Sequence, residues 1–224
     1  MKRNALAKAA LSSLLVGTTM VGCTGAAFRP SAIAPVKSGD DRAAAAIDKA
    51  LAGRDGARAL AAAEAAVQTA PRDAAYRQLL GRAYVANGRF ASAETALTDA
   101  MTLGDRDPRT IVSLALVKVA LGKSDAAREL LAAHADVVPA GDYGLAMAMA
   151  GDASEGVRIL SEAIHDPSAT ARTRQNLAYA YALAGRWKDA RVMAGLDLEP
   201  LAANQRIAQW AQTAAPEFAQ QRIA

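Results

Sequence analysis

One cysteine and two histidines are the residues of this chain best suited to nucleophilic, acid–base or metal chemistry: Cys23, His134 and His165. Neither histidine belongs to an H-E-x-x-H pair or lies near the cysteine, and one cysteine alone cannot build a zinc site. His134 falls in an alanine-rich helical stretch, and His165 stands before Asp166-Pro167, near a helix end. Both read as satisfied or solvent-facing side chains. Asp40-Asp41 and the pair Asp105/Asp107 read as turn or cap carboxylates, and the scattered serines fall mostly in turns. No G-x-S-x-G elbow, P-loop or G-x-G-x-x-G with an acidic partner is present. The expectation is a protein without catalytic residues, metal, cofactor or small-molecule substrate.

Cys23 has a different context. Lys2, Arg3 and Lys8 form a positive segment, followed by the mainly apolar stretch from Ala9 to Val21. Thirteen residues of helix reach roughly 20 Å, short of a bilayer core of about 30 Å, so the stretch suits a secretory signal over residues 1–22. Met20-Val21-Gly22-Cys23 resembles the bacterial lipobox, with Met in place of the usual Leu. That resemblance implies cleavage before Cys23 and a covalent lipid on its thiol and new amine. Each buried acyl CH₂ contributes about 0.8 kcal/mol, so several chains anchor stably. Thr24 stands where an inner-membrane retention signal would show Asp. The implied location is the outer membrane, lipid-anchored and facing the periplasm.

The 26 basic and 22 acidic residues become 23 and 22 once residues 1–22 are removed, a net charge of +1. No dense Lys/Arg stripe or aromatic–basic interleaving is present, so no nucleic-acid partner is expected.

The elements that must carry any binding surface are helical. Residues 23–39, with Pro30, Pro35, Gly25 and Gly39, read as the lipidated cysteine and a flexible tether. From Asp40 onward the chain is rich in alanine and poor in aromatic and β-branched runs, which predicts an all-α fold. A Gly-x-x-x-x-Ala element recurs at Gly88…Ala93, Gly122…Ala127 and Gly185…Ala190, with a decayed copy at Gly151…Gly156. The glycines are spaced by 34, 29 and 34 residues. With Leu80-Gly81, Tyr84, Phe90, Leu97 and Ala100, this pattern resembles the tetratricopeptide repeat, whose period is 34 residues. The resemblance implies a superhelical α-solenoid of helix-turn-helix units over residues 40–204, beginning near Asp40, Ala74, Pro108, Asp142 and Ala171. The fourth unit is short by about five residues, which are expected to come from its first helix. Residues 205–224 are expected to supply a capping helix and tail, with Ile207 and Trp210 covering the last repeat.

In this architecture the first helices line a concave groove. Repeat counting places Gln78, Arg82 and Val85, then Arg109, Val112 and Leu116, then Arg172, Gln175, Asn176 and Tyr179 along it. Such a surface offers aliphatic patches, with arginines and amides available to a partner's backbone or carboxylates. The short fourth unit is expected to kink it between Leu116 and Gln175.

Arg174-Gln175-Asn176-Leu177-Ala178-Tyr179-Ala180-Tyr181 through Gly185-Arg186-Trp187, with Asp189-Ala190, Asp197-Leu198 and Asn204, resembles the C-terminal repeat of the TadD family. These are tetratricopeptide lipoproteins of tight-adherence (Flp) pilus assembly. The resemblance implies a non-catalytic, pilotin-like factor whose protein partner is the outer-membrane secretin or another pilus component. The alternative is a lipid-anchored periplasmic scaffold for cell-wall or outer-membrane assembly partners.

Overall fold

The computed structural model describes residues 41–214 together with Gln220 and Ile223. The expected signal, Cys23 and the tether lie outside the described residues.

Eleven helices, and no strand, occur among the described residues. The first ten form five hairpins: α1 (Asp41–Ala52) with α2 (Gly56–Thr69), α3 (Ala74–Ala86) with α4 (Phe90–Thr102), α5 (Pro108–Ala120) with α6 (Ser124–Ala132), α7 (Ala140–Met149) with α8 (Ala153–Ala163), and α9 (Ala171–Leu183) with α10 (Trp187–Ala194). The eleventh, α11 (Pro200–Thr213), packs on α9 and α10.

Local chemistry sets the boundaries. Asp55, Asp73, Asp107 and Asp152 each precede a helix and accept a hydrogen bond from a first-turn amide, that of Arg58, Tyr76, Arg109 and Glu155 respectively. This satisfies one of the donors every helix start leaves orphaned. Asp105 accepts from the Thr110 hydroxyl at 2.7 Å, which fixes the turn before α5.

Helices of two to four turns are marginal alone, so stacking supplies the stability. Within hairpins the close approaches use small residues: Ala59, Ala93, Ala127, Ala178 and Ala190 have no exposed surface. Leu97 covers Gly81 so closely that a Cβ there would stand 2.5 Å from the leucine Cγ. Leu97, Leu131, Leu160 and Leu177 are fully buried in a series of core clusters along the array. The aromatic residues expected as packing elements are less uniform. Phe90 is buried, whereas Tyr84, Tyr181 and Trp187 are half-buried, with the Arg186 guanidinium over the Tyr181 ring at 4.5 Å.

Two expectations about boundaries change. The shortening around the fourth unit is shared between two helices, because α6 has 9 residues and α7 has 10 where α4 and α5 have 13 each. The linker before α7, residues 133–139, absorbs part of the difference, and His134 consequently sits in that turn, its ring nitrogen 2.9 Å from the Leu130 carbonyl oxygen. The capping helix starts at Pro200 rather than Gln205. Proline lacks an amide hydrogen and holds φ near the helical value, which suits the first helical position. Ile207 and Ala203 of α11 are buried as a cap requires.

Candidate functional site: the face of the first helices

The helices α1, α3, α5, α7 and α9 pack one on the next, and their shared face carries most of the expected groove residues. Arg82, Val85 and Ala86 of α3 join Leu51 of α1 and Ser113, Leu116 and Val117 of α5 around a pocket of about 240 Å³. A second pocket, about 230 Å³, adjoins it. Arg109, Val112, Ser113 and Leu116 line one side, and Leu145, Met149 and Arg172 line the other. Leu116 and Ser113 belong to both, so the two pockets adjoin along α5, and the second reaches the shortened α7 and Arg172 of α9.

The polar residues of this surface are engaged with one another. Arg82 Nη1 lies 2.6 Å from Asp48 Oδ1 of α1, so the guanidinium braces two successive first helices. Arg172 pairs with Asp142 of α7 at 2.9 Å, and Asn176 Nδ2 donates to the Gly141 carbonyl at 3.0 Å. Arg109 lies back on its own cap residue, Nη2 to Asp107 Oδ2 at 2.5 Å, and that contact holds the Asp107 carboxyl below the usual range. These exposed pairs contribute little stability each, but they orient the side chains and leave little uncompensated charge. What remains for a partner is chiefly aliphatic: Leu51, Val85, Val112, Leu116, Leu145 and Met149.

Three expected groove residues face elsewhere. Gln78 is only 8% exposed and lines a separate recess with Asp105 and Asp107, at the N-terminal end of α3. Gln175 turns to the linker after α10, its Nε2 3.3 Å from Asp197 Oδ2 and its buried Oε1 without a protein partner among the described residues. Beside it, Arg174 pairs with Asp197 and lowers that carboxyl's pKa. Tyr179 packs at a tilt against Trp210 of the cap, the ring centroids 5.1 Å apart. Arg82 and its partner Asp48 lie 34 residues apart, one repeat period, and helix-by-helix counting overlooks that pairing.

A wider recess of about 580 Å³ lies at the Arg172–Asp142 edge, lined also by Ile159, Glu162 and Asp166. His165 is exposed, and no group of three His, Cys, Asp or Glu residues poised to hold a metal occurs among the described residues. None of the described helices is long and apolar enough to cross a membrane.

No protein-family model matches the chain, and neither does any curated protein sequence. Solved structures do. A thermophilic tetratricopeptide-repeat protein of Thermus thermophilus superposes with a TM-score of 0.64 at 19% identity, over 77% of this chain and 98% of that one. PilW, described as a widely conserved type IV pilus biogenesis factor, gives 0.59 at 14% identity, over 80% and 89%. YrrB, a tetratricopeptide-repeat protein with an unusual peptide-binding site, gives 0.50 at 16% identity, over 71% and 88%. At these identities the likeness is one of fold.

Proposed function

We propose that the chain is a non-catalytic, protein-binding lipoprotein of Flp/Tad pilus assembly, acting as a pilotin-like factor for the outer-membrane secretin. The protein folds as an all-α tetratricopeptide-repeat solenoid, an architecture suited to holding other proteins. Its lipid on Cys23 holds it at the outer membrane, facing the periplasm, and its array engages the partner.

The observation that carries the binding role is the continuous aliphatic face centred on Leu116, whose neighbouring charges are already paired. Such a surface favours an apolar partner segment over an acidic one. The pilus setting draws on the TadD-like residues from Arg174 to Asn204, the lipobox-like Met20-Val21-Gly22-Cys23 and the fold shared with PilW.

The test is affinity purification of the membrane-anchored protein from its native host after crosslinking, read by mass spectrometry, with a Cys23→Ser control. Recovery of a secretin with other tight-adherence components, and release of the control from the membrane fraction, are expected. Recovery of cell-wall hydrolases or barrel-assembly proteins instead replaces the pilotin role with the periplasmic scaffold. Unchanged fractionation of Cys23→Ser removes the lipid anchor.

A further inference from the structure

The pocket between α1, α3 and α5 is partly closed by a residue from far along the same chain. Ile223 forms one of its walls, beside Val85 and Leu116, and packs on core residues of the second, third and fourth hairpins. Gln220 donates its Nε2 to the carbonyl of Ala120 at 3.0 Å, a contact spanning 100 residues of sequence. Gln220 and Ile223 both have helical backbone. Ala120 ends α5, where carbonyls lack an intrahelical acceptor role, so the glutamine amide meets a group the array leaves available.

The fit is incomplete. Ile223 is half-buried, and about 240 Å³ remains beside it in the pocket. Unfilled space forfeits dispersion contacts along its lining, so a larger aliphatic or aromatic side chain would fill the site better. Among the described residues of this segment the hold consists of one half-buried side chain and one neutral hydrogen bond, both of them displaceable. Because Arg82 is paired with Asp48 at the rim, charge does not select the occupant; shape and apolar surface do.

We propose that Gln220 and Ile223 are an intramolecular placeholder. The pocket takes a short helical segment that presents an apolar side chain with an amide donor three residues before it, and the chain's own segment holds that place until a partner segment of the same chemistry displaces it. This rests on the reading of the first-helix face as the partner surface.

The test uses the full-length chain and a fluorescein-labelled synthetic peptide with the sequence of residues 214–224, followed by fluorescence anisotropy. Ile223→Asp in the full chain is expected to raise peptide affinity about tenfold or more, because a site closed nine-tenths of the time binds with about one-tenth of its intrinsic affinity. A peptide carrying the same substitution is expected to bind neither protein. Equal peptide affinities for the parent and Ile223→Asp overturn the placeholder. Absence of peptide binding to both proteins overturns it too. Light scattering that shows a parent dimer dissolved by Ile223→Asp places the segment in a second copy and overturns the intramolecular form. Peptide affinity is read without any pilus component, so its outcome is independent of whether the crosslinking experiment recovers a secretin.

Discussion

In the fourth hairpin the backbones of α7 and α8 meet at Gly144 and Gly156. A Cβ built on Gly156 would stand 2.6 Å from the Gly144 carbonyl oxygen and 2.9 Å from the Ala148 amide nitrogen. These are backbone atoms, with no flexible side chain to yield. The residue that breaks the Gly-x-x-x-x-Ala pattern in sequence is therefore the one that lets the two short helices make up for lost length by packing closer.

Gly156→Ala is expected to lower stability by about 1–3 kcal/mol through overpacking. Gly141→Ala provides the contrast, since its Cβ would meet only Thr173 at ordinary distances of 3.7 and 3.8 Å. Thermal melts followed by circular dichroism separate the two; equal midpoints would mean the α7–α8 crossing relaxes freely.

The turn within the first hairpin is the odd one out. Gly88, Gly122 and Gly185 occupy the left-handed region at φ of 68°, 75° and 73°, but Arg54, one period before Gly88, adopts φ 56° with a side chain attached. Left-handed backbone costs a non-glycine residue roughly 1–2 kcal/mol. Arg54→Gly is expected to raise the unfolding free energy by about 1 kcal/mol, and Gly185→Ala to lower it by a similar amount. Urea denaturation reads both, and a neutral Arg54→Gly would show the turn carries no strain.

Acid sensitivity should concentrate at the joint between the second and third hairpins. Glu94 of α4 contacts Lys123 at 2.6 Å and Lys118 at 3.1 Å, and its own side chain is 20% exposed. The hydrogen bond from Lys123, with the further one from Lys118, holds the carboxyl below its ordinary value of 4.5. A depressed folded-state pKa stabilises the protein fully above the unfolded value, and this contribution is lost as pH falls through the folded one. Glu94→Gln is thus expected to lower stability at pH 7 by about 1 kcal/mol, after allowing for the half-exposed Lys123. Melting temperatures across pH read it, and the gap between variant and parent should close as pH falls below 4.5. A gap that persists at acid pH would assign the loss to packing.

How far residue types alone reveal this fold depends on the range of the interaction. Caps, turn glycines and alanine-rich periodicity act within a few residues, so the starts of α3, α5 and α9 at Ala74, Pro108 and Ala171 coincide with the expected unit boundaries. The repeat period adds the pairing of helices, because each unit buries its apolar face only against the next. Pro200 is as local a signal, yet counting in units of 34 runs past it to Gln205.

Contacts between repeats obey no such local rule. Whether Arg82 faces a partner or Asp48, whether Gln175 reaches the groove or Asp197, and whether α7 and α8 close on Gly144 and Gly156 depend on how far each hairpin is rotated against its neighbour. The meeting of Gln220 and Ile223 with a pocket built about 100 residues earlier depends on the path of the whole array. Propensity and period, both written in the amino-acid order, set the helices and their succession. Which polar groups are braced and which apolar ones stay available is a property of the folded stack, because it is settled by distances between hairpins that no local pattern encodes.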